Sequence, residues 1–313
     1  MSKYVFGVDI GGTTIKFGLF TKEGELIEKF VVETDSSYEG RNLIPQIANG
    51  ILLKLEEKSL PITDIAGIGV GVPGPVNEQG VVLVGVNIGW ENPVALKEVL
   101  FDLLGVPIYV TNDANIAALG EMWLGAAKGA KNAIMYTLGT GVGGGVMVDG
   151  KVINGTNGAG GEIGHLVTVL EGGARCGCGK MGCLETVASA TGIVRMVNEE
   201  LANTNVKTIL HDIKEMKAKD VFDAALDGDE LALKIVDRVG YYLGLSAANL
   251  AVTTDPEQII FGGGVAYAGD ILLDAIRKYY LQFAFASTKD TPFVLATLGN
   301  DAGIFGGAYL ATH

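Results

Sequence analysis

Apolar residues in this chain fall into short blocks that alternate or run together and then stop on glycine, and this spacing predicts interleaved strands and helices. Residues 4–9 read as a buried strand, Gly11-Gly12-Thr13-Thr14 as a tight turn, and residues 15–20 as the returning strand of a hairpin. The pattern recurs in the middle of the chain. Residues 133–138 are apolar, Gly139-Thr140-Gly141-Val142-Gly143-Gly144-Gly145 is a glycine turn, and 146–148 is the return strand. Two such units in separate halves point to a duplicated architecture with one glycine hairpin per domain. Between them the pattern predicts a helix over 42–58 interrupted near Pro45, a strand over 65–72 ending at Pro73-Gly74-Pro75, a helix over 94–104 and a strand over 108–110. That strand runs into Thr111-Asn112-Asp113, and an alanine-rich helix over 114–128 follows, so Asn112 or Asp113 lies near a helix N-cap. The second half adds helices over 185–202, 206–226 and 230–250, and a strand over 258–261 that meets Gly262-Gly263-Gly264. A helix over 271–283, a strand over 293–297 and a helix over 302–310 close the chain. Strands and helices mixed in both halves mean an α/β fold.

Length divides this pattern into domains. The 313 residues suit two cores of about 150 residues each. The chain holds 46 glycines, well above the usual share of about 7%, and they cluster beside apolar strands instead of forming repeats. A net charge of -13 argues against a nucleic-acid partner, because phosphate backbones are gripped by Lys and Arg clusters. Any nucleotide must be held by local groups, such as backbone N–H donors and a divalent cation. The first residues enter a strand without a basic, apolar leader. The longest charge-free apolar stretch, 133–148, is broken by five glycines and makes a poor membrane span. The expectation is a cytoplasmic protein with no membrane partner, in which the sequon Asn154-Gly155-Thr156 carries no glycan.

All three cysteines fall within the stretch Cys176-Gly177-Cys178-Gly179-Lys180-Met181-Gly182-Cys183, and His165 lies just upstream. Thiolates and an imidazole are the donors a tetrahedral Zn²⁺ prefers, and four protein ligands leave no open position for substrate. The metal reading therefore makes His165, Cys176, Cys178 and Cys183 a structural zinc site. A reducing compartment favours it over a disulfide. Glu162 and Glu185 are interleaved with the ligands, so a metal clip would fix where they point; solvated loop carboxylates are the competing reading.

The glycine turns narrow the chemistry further. Gly139 to Gly144 fits G-x-G-x-x-G, but a dinucleotide fingerprint opens a helix, and this one leads into an apolar return strand. No G-x-x-x-x-G-K-[ST] occurs, which excludes a P-loop. Tight hairpins alone would explain any single glycine turn. Three of them together suit a nucleotide, with N–H groups and Thr hydroxyls of two hairpins on its phosphates and Gly262-Gly263-Gly264 leaving room beside a flat base. Asp9, just before the first turn, is placed to hold Mg²⁺ through water.

At this point the chain resembles the sugar kinases of the actin, hexokinase and heat-shock chaperone superfamily. Asp9-Ile10-Gly11-Gly12-Thr13 is similar to the first phosphate motif, Leu138 to Gly144 to the second, and Gly262-Gly263-Gly264-Val265-Ala266 to the adenosine motif. Gly161-Glu162-Ile163-Gly164-His165, followed by Cys176-x-Cys178-Gly-x-x-Gly-Cys183-x-Glu185, resembles the ROK family signature. The resemblance runs end to end, and the whole chain resembles the bacterial glucokinases of that family. It implies a two-domain actin/hexokinase-like (ribonuclease H-like) α/β fold with a cleft between the domains. The borders expected are 1–120 for the first domain, completed by a C-terminal helix over 300–313, and 121–299 for the second.

The same resemblance implies ATP-dependent phosphorylation of glucose at its 6-hydroxyl, with ATP, Mg²⁺ and structural zinc. Asp113 becomes the general base; a plain N-cap is its competing role, and the two can coexist. Asn112, Asp113, Glu162, His165 and Glu185 are expected to line the sugar, with Gly74 and Asn87 bordering it. Asp9, Gly11, Gly12, Thr13, Thr14, Gly139, Thr140, Gly141, Gly143, Gly144, Gly262, Gly263 and Gly264 are expected at the nucleotide. Lys16 joins that set, with a solvated strand position as its competing reading. His165 is expected to use one ring nitrogen for zinc and the other for a sugar hydroxyl. Other hexoses, such as N-acetylmannosamine or fructose, are the alternative substrates, and polyphosphate is an alternative donor. A sugar-sensing regulator is the reading from another class; it calls for a DNA-binding region ahead of the first phosphate motif, and eight residues precede Asp9. A homodimer is what the family implies.

Overall fold

In the computed structural model, which describes residues 3–203 and 206–313, the chain forms two five-stranded sheets flanked by helices. It divides into two compact units, one of Met1–Lys131, Gly145–Gly161 and Thr297–His313, the other of Asn132–Gly144 and Glu162–Ala296. The borders expected lie near 120 and 300; the structure changes unit at 131/132, 144/145, 161/162 and 296/297.

The first unit is built on β1 (Tyr4–Ile10), β2 (Thr14–Thr21), β3 (Leu26–Glu33), β4 (Ile65–Val72) and β5 (Ile108–Asn112), in the order β3-β2-β1-β4-β5. β1, β2 and β3 are antiparallel neighbours, whereas β4 and β5 run parallel to β1 and are reached by crossovers. A single turn, α1 (Ser37–Gly40), precedes α2 (Leu43–Glu57), and α3 (Leu96–Leu104) and α4 (Asp113–Leu124) follow later in the chain. Phe6, Val8, Ile10 and Phe17 join Leu43, Ile47, Ile51, Leu96 and Leu100 in one core. Val5 and Phe20, pointing the other way by the strand period of two, pack on Ile304 and Ala308 of the last helix, α10 (Ala302–Thr312).

Glycine lets α10 lie at backbone contact distance from the sheet. A Cβ on Gly7 would stand 1.8 Å from the Ile304 carbonyl oxygen, and one on Gly69 would stand 2.0 Å from that of Gly307. On its other side Gly306 meets the Ile116 carbonyl of α4, at 1.7 Å from a built Cβ. Part of the glycine excess is thus close packing.

The second sheet contains β6 (Ala133–Leu138), β7 (Val142–Val148), β8 (Lys151–Val152), β9 (Gln258–Gly262) and β10 (Phe293–Leu295), in the order β10-β9-β6-β7-β8. Read from β8, this is the order of the first sheet again, with two antiparallel additions on one side of a central strand and two parallel ones on the other. The duplicated architecture is real at the level of topology. Its helices are a one-turn α5 (Glu185–Ala188), α6 (Ala190–Asn203), α7 (Ala218–Leu226), α8 (Glu230–Thr254) and α9 (Asp270–Phe283).

Several elements differ from the sequence reading for identifiable reasons. Pro45 does not interrupt α2, because it sits in the first turn, where an N–H has no intrahelical partner to lose. The helix expected over 185–202 breaks at Ser189, whose backbone is extended and whose Oγ accepts from Gly192 N at 3.0 Å, starting α6 afresh. Within 206–217 the chain makes only a 3₁₀ turn, Ile209–Asp212, held by Thr208 Oγ1 and Asp229 side-chain acceptors that compete with helix. β3 carries no expectation at all: adjacent Glu28 and Lys29 interrupt its apolar residues, and half-buried positions alternate with exposed ones on this edge strand. Among the described residues no helix is long and apolar enough to cross a membrane.

Candidate active site

Within the first unit the β1–β2 hairpin places Asp9 and Lys16 directly opposite each other. Cross-strand partners share a face of the sheet, and Lys16 Nζ lies 3.9 Å from Asp9 Oδ2 while donating to the Asn300 carbonyl at 2.7 Å. The side chain of Lys16 therefore points to the Asp9 side. Gly303 at the start of α10 covers Asp9 so closely that a Cβ there would stand 2.5 Å from Asp9 Cγ. Burial raises the Asp9 carboxyl above its ordinary value, with the Lys16 charge acting in the opposite sense. A partly buried carboxylate of this kind, facing one ammonium, suits a hydrated divalent cation.

The turn that follows is closed by Gly11 N donating to the Thr14 carbonyl at 2.9 Å and by Thr34 Oγ1 donating to the Gly11 carbonyl at 2.7 Å. Gly12 and Thr13 are left exposed at its tip. Asn87, also exposed, lies beside that tip, since a Cβ on Gly12 would come within 3.1 Å of the Asn87 carbonyl oxygen.

At the end of β5 the side chain of Asn112 is the N-cap of α4, accepting from Ala114 N at 2.8 Å and Asn115 N at 3.2 Å. Its amide donates to the Gly74 carbonyl at 3.3 Å. Gly74 has a φ of 130°, which a side chain rarely adopts. Asp113 opens the helix, exposed, with Oδ1 accepting from Ala114 N at 2.8 Å. N-cap duty thus falls to Asn112, leaving Asp113 as the exposed carboxylate of the turn.

In the second unit the glycine turn between β6 and β7 is anchored by Gly139 N donating to the Gly141 carbonyl at 3.0 Å and by Ala190 N donating to that of Gly139 at 2.8 Å. Thr191 Oγ1 donates to the Thr140 carbonyl at 2.9 Å. The turn continues directly into β7, so Gly143 and Gly144 are strand residues and the dinucleotide reading fails on structure as well. Gly263, at a φ of 85°, packs on Leu138, with a built Cβ 2.6 Å from its carbonyl oxygen.

His165, Cys176, Cys178 and Cys183 bring their ligand atoms within 4.8 Å of one another. Cys178 and Cys183 sulfurs are 3.6 Å apart, as are Cys176 Sγ and His165 Nδ1. Sulfurs about 2.3 Å from a tetrahedral zinc would be separated by roughly 3.8 Å, so the donor set and its spacing both fit. The loop is closed by Cys176 N donating to the Lys180 carbonyl at 2.8 Å, and by Gly182, where a Cβ would stand 2.0 Å from the Val169 carbonyl oxygen. Without metal, burial pushes the Cys176 thiol up to about 12 and raises that of Cys183, whereas the Lys180 backbone N–H pulls Cys178 down.

Both acidic residues adjoin this cluster. Glu185 Oε1 lies 3.4 Å from Cys176 Sγ, and Oε2 accepts from Val142 N at 3.1 Å. Glu162 accepts through its backbone carbonyl from His165 N at 3.1 Å. Its carboxyl is raised above the ordinary value, first by burial and also by Glu185, with His165 acting to lower it. Nδ1 of His165 is the ring nitrogen turned toward the sulfurs.

A cavity of about 990 Å³ opens beside Gly139, Thr140 and Gly264, with α6 and α7 forming its other walls. Thr191 and Arg195 of α6 line it and are absent from the sequence-derived set. Arg195 is locked there by donation to the Thr186 carbonyl at 2.7 Å and by an ion pair with Glu199. Nothing in the helical periodicity of α6 marks these residues, because only the tertiary packing of α6 against the turn makes a cavity. Its size suits a nucleoside.

Comparison with known proteins identifies the family. A family model described as ROK family matches residues 5–313. The glucokinase of Halalkalibacterium halodurans is 45% identical over 313 residues, covering 98% of this chain and 94% of that protein. Among solved structures, the ROK hexokinase from Thermus thermophilus superposes with a TM-score of 0.82 at 34% identity, covering 98% of this chain and 97% of that one. A ROK family glucokinase from Streptomyces griseus, in complex with glucose and AMPPNP, gives a TM-score of 0.75 at 33% identity, with 98% of both chains covered.

Proposed function

Since the chain belongs to the ROK family, we propose that it is a glucokinase that uses ATP to phosphorylate glucose. The observation that carries this reading is the 45% identity to a glucokinase over nearly the full length of both proteins, supported by the structural likeness to a glucokinase solved with glucose and AMPPNP. The fold is the actin/hexokinase-like α/β arrangement of those kinases.

Phosphoryl transfer to an alcohol is mostly positioning and charge stabilisation. In this reading the 6-hydroxyl of glucose lies at Asp113, whose carboxylate takes the hydroxyl proton as O6 bonds to the γ-phosphorus. The bond from that phosphorus to the β–γ bridging oxygen breaks, and ADP leaves. Asn112 orients the turn and offers its amide. Glu162, Glu185 and His165 take ring hydroxyls, which fixed polar partners discriminate well. Gly11 to Thr14 and Gly139 to Gly144 supply N–H groups and Thr hydroxyls to the phosphates, with Lys16 beside them, and the cavity by Gly264 takes the adenosine.

Asp9 would hold Mg²⁺ through water, and the ion when bound neutralises charge on the β- and γ-phosphate oxygens. His165, Cys176, Cys178 and Cys183 would hold zinc, a closed site whose chemistry is structural. A homodimer in solution, testable by light scattering, and a cytoplasmic location complete the reading.

The test is a coupled assay over a sugar panel including N-acetylmannosamine and fructose, with ATP and polyphosphate as donors. Glucose with ATP should give the highest kcat/KM. Asp113→Asn should lower kcat by about 10²–10⁴-fold while retaining glucose binding by calorimetry, and wild-type turnover in that variant would sink the general-base assignment.

A further inference from the structure

The sequon residue Asn154 is not used by the reading above, yet its side chain reaches the turn that carries Asp113. Its Oδ1 accepts two hydrogen bonds, from Thr111 Oγ1 at 2.9 Å and from Asn115 Nδ2 at 3.2 Å. Thr111 lies two residues before Asp113 on β5, and Asn115 lies two residues after it on α4. Both are 2% exposed. One acceptor atom therefore clamps the two flanks of the strand-to-helix junction, with Asn112 and Asp113 between them.

Asn115 sharpens the point. Its own Oδ1 is buried without a partner, an unfavourable state for a polar atom. The side chain is thus held by its amide N–H end, and the group that holds it is Asn154.

The loop that presents Asn154 is itself fixed on the first unit. The Asn154 carbonyl accepts from Gly160 N at 2.8 Å, closing the loop on itself. Gly158, at a φ of 69°, lies against Val76, with a built Cβ 2.6 Å from its carbonyl oxygen. A docked, self-closed loop is a rigid support, and a carboxylate on an exposed junction is a group whose rate contribution depends on support, because a misplacement of about 1 Å can cost about 10²-fold.

We propose that Asn154 is a positioning residue for phosphoryl transfer: it clamps Thr111 to Asn115 and so holds the Asp113 carboxylate in its reactive orientation. The inference rests on Asp113 being the general base. Asn154 touches no substrate in this role, so its effect belongs on turnover and not on binding.

The experiment compares full-length Asn154→Ala, Asn154→Asp, Thr111→Val and the Thr111→Val/Asn154→Ala double variant with Asp113→Asn as the reference. Asn154→Ala should lower kcat about 10-fold to 100-fold, with KM for glucose and for Mg-ATP within about 2-fold of wild type. Asn154→Asp keeps both acceptor contacts and should recover kcat to within about 3-fold. The double variant should be no slower than Asn154→Ala alone, because both substitutions break one clamp. If Asp113→Asn is inactive while Asn154→Ala turns over like wild type, the clamp is wrong and the base stands. If Asp113→Asn is active, both fall. A loss of kcat in Asn154→Ala that Asn154→Asp does not recover, or that comes with raised KM values and a lowered Tm, marks a merely structural residue and overturns the proposal.

Discussion

The Glu185 carboxylate accepts from the Val142 backbone N–H at 3.1 Å with one oxygen while its other oxygen lies 3.4 Å from Cys176 Sγ. One side chain thereby joins the cysteine cluster to the glycine turn between β6 and β7. The turn is shaped around it, since a Cβ on Gly141 would stand 2.4 Å from Glu185 Oε2.

Gly141→Ala should therefore displace the Glu185 carboxylate. If Glu185 holds a sugar hydroxyl, kcat/KM for glucose should fall about 10-fold or more, read in the coupled assay at saturating Mg-ATP. An unchanged value would separate Glu185 from the sugar.

Removal of zinc should act on the same side chains. His165 and Glu185 both contact Cys176, whereas the Asp9 hairpin belongs to the other unit. Stripping the metal with a chelator should weaken glucose binding more than Mg-ATP binding in calorimetry. Equal loss of both, together with loss of the circular dichroism signal, would mean that the metal supports the fold as a whole.

Asp9 predicts a pH effect on stability. Burial raises its folded pKa above the ordinary 3.8, so as pH rises the unfolded chain gives up this proton first. Stability from this group is thus full below the unfolded value and declines as pH rises through the folded one. Without nucleotide and Mg²⁺, Asp9→Asn should raise Tm at neutral pH, and the gain should vanish as the pH is lowered past the ordinary carboxylate range. The same variant should lose Mg-ATP affinity. A Tm difference independent of pH would show that the Asp9 charge is not the cause.

Glu121 carries the segment that leads into α10. Fully buried in α4, its carboxylate accepts from Ala126 N at 2.8 Å, Thr297 N at 3.1 Å and Leu298 N at 2.8 Å. Glu121→Ala leaves the N–H groups of half-buried Ala126 and Leu298 and of exposed Thr297 without that acceptor, and each donor kept from water costs about 1–3 kcal/mol. Urea unfolding should show a loss of about 2–3 kcal/mol, with Glu121→Gln losing less. A loss under about 1 kcal/mol would mean that water replaces the carboxylate.

Much of the site was legible because its chemistry is local in sequence. Cys176, Cys178 and Cys183 lie so close together that the chain can hardly avoid grouping them, and His165, read with them from the sequence, brings its ligand atom within 4.8 Å of theirs. The hairpin at Gly11 to Thr14 and the capped start of α4 are likewise turn chemistry, decided by neighbours within a few residues. Glu121, Thr191, Arg195 and Asn154 were not legible in these roles. The partners of Glu121 include Thr297 and Leu298, and those of Asn154 are Thr111 and Asn115, and no periodicity records a contact made across such separations.

By itself the sequence determined the alternation of strands and helices, the glycine turns, the His and Cys donor set suited to a metal and the carboxylate at the β5–α4 junction, because each depends on backbone preference and spacing over short range. Only the tertiary structure decided that the two sheets share one strand order, that α10 lies on Gly7 and Gly69, that Lys16 faces Asp9, and that Asn154 holds the two flanks of Asp113. Those relations come from close packing and hydrogen-bond satisfaction between segments distant in the chain, for which a linear pattern carries no coordinate.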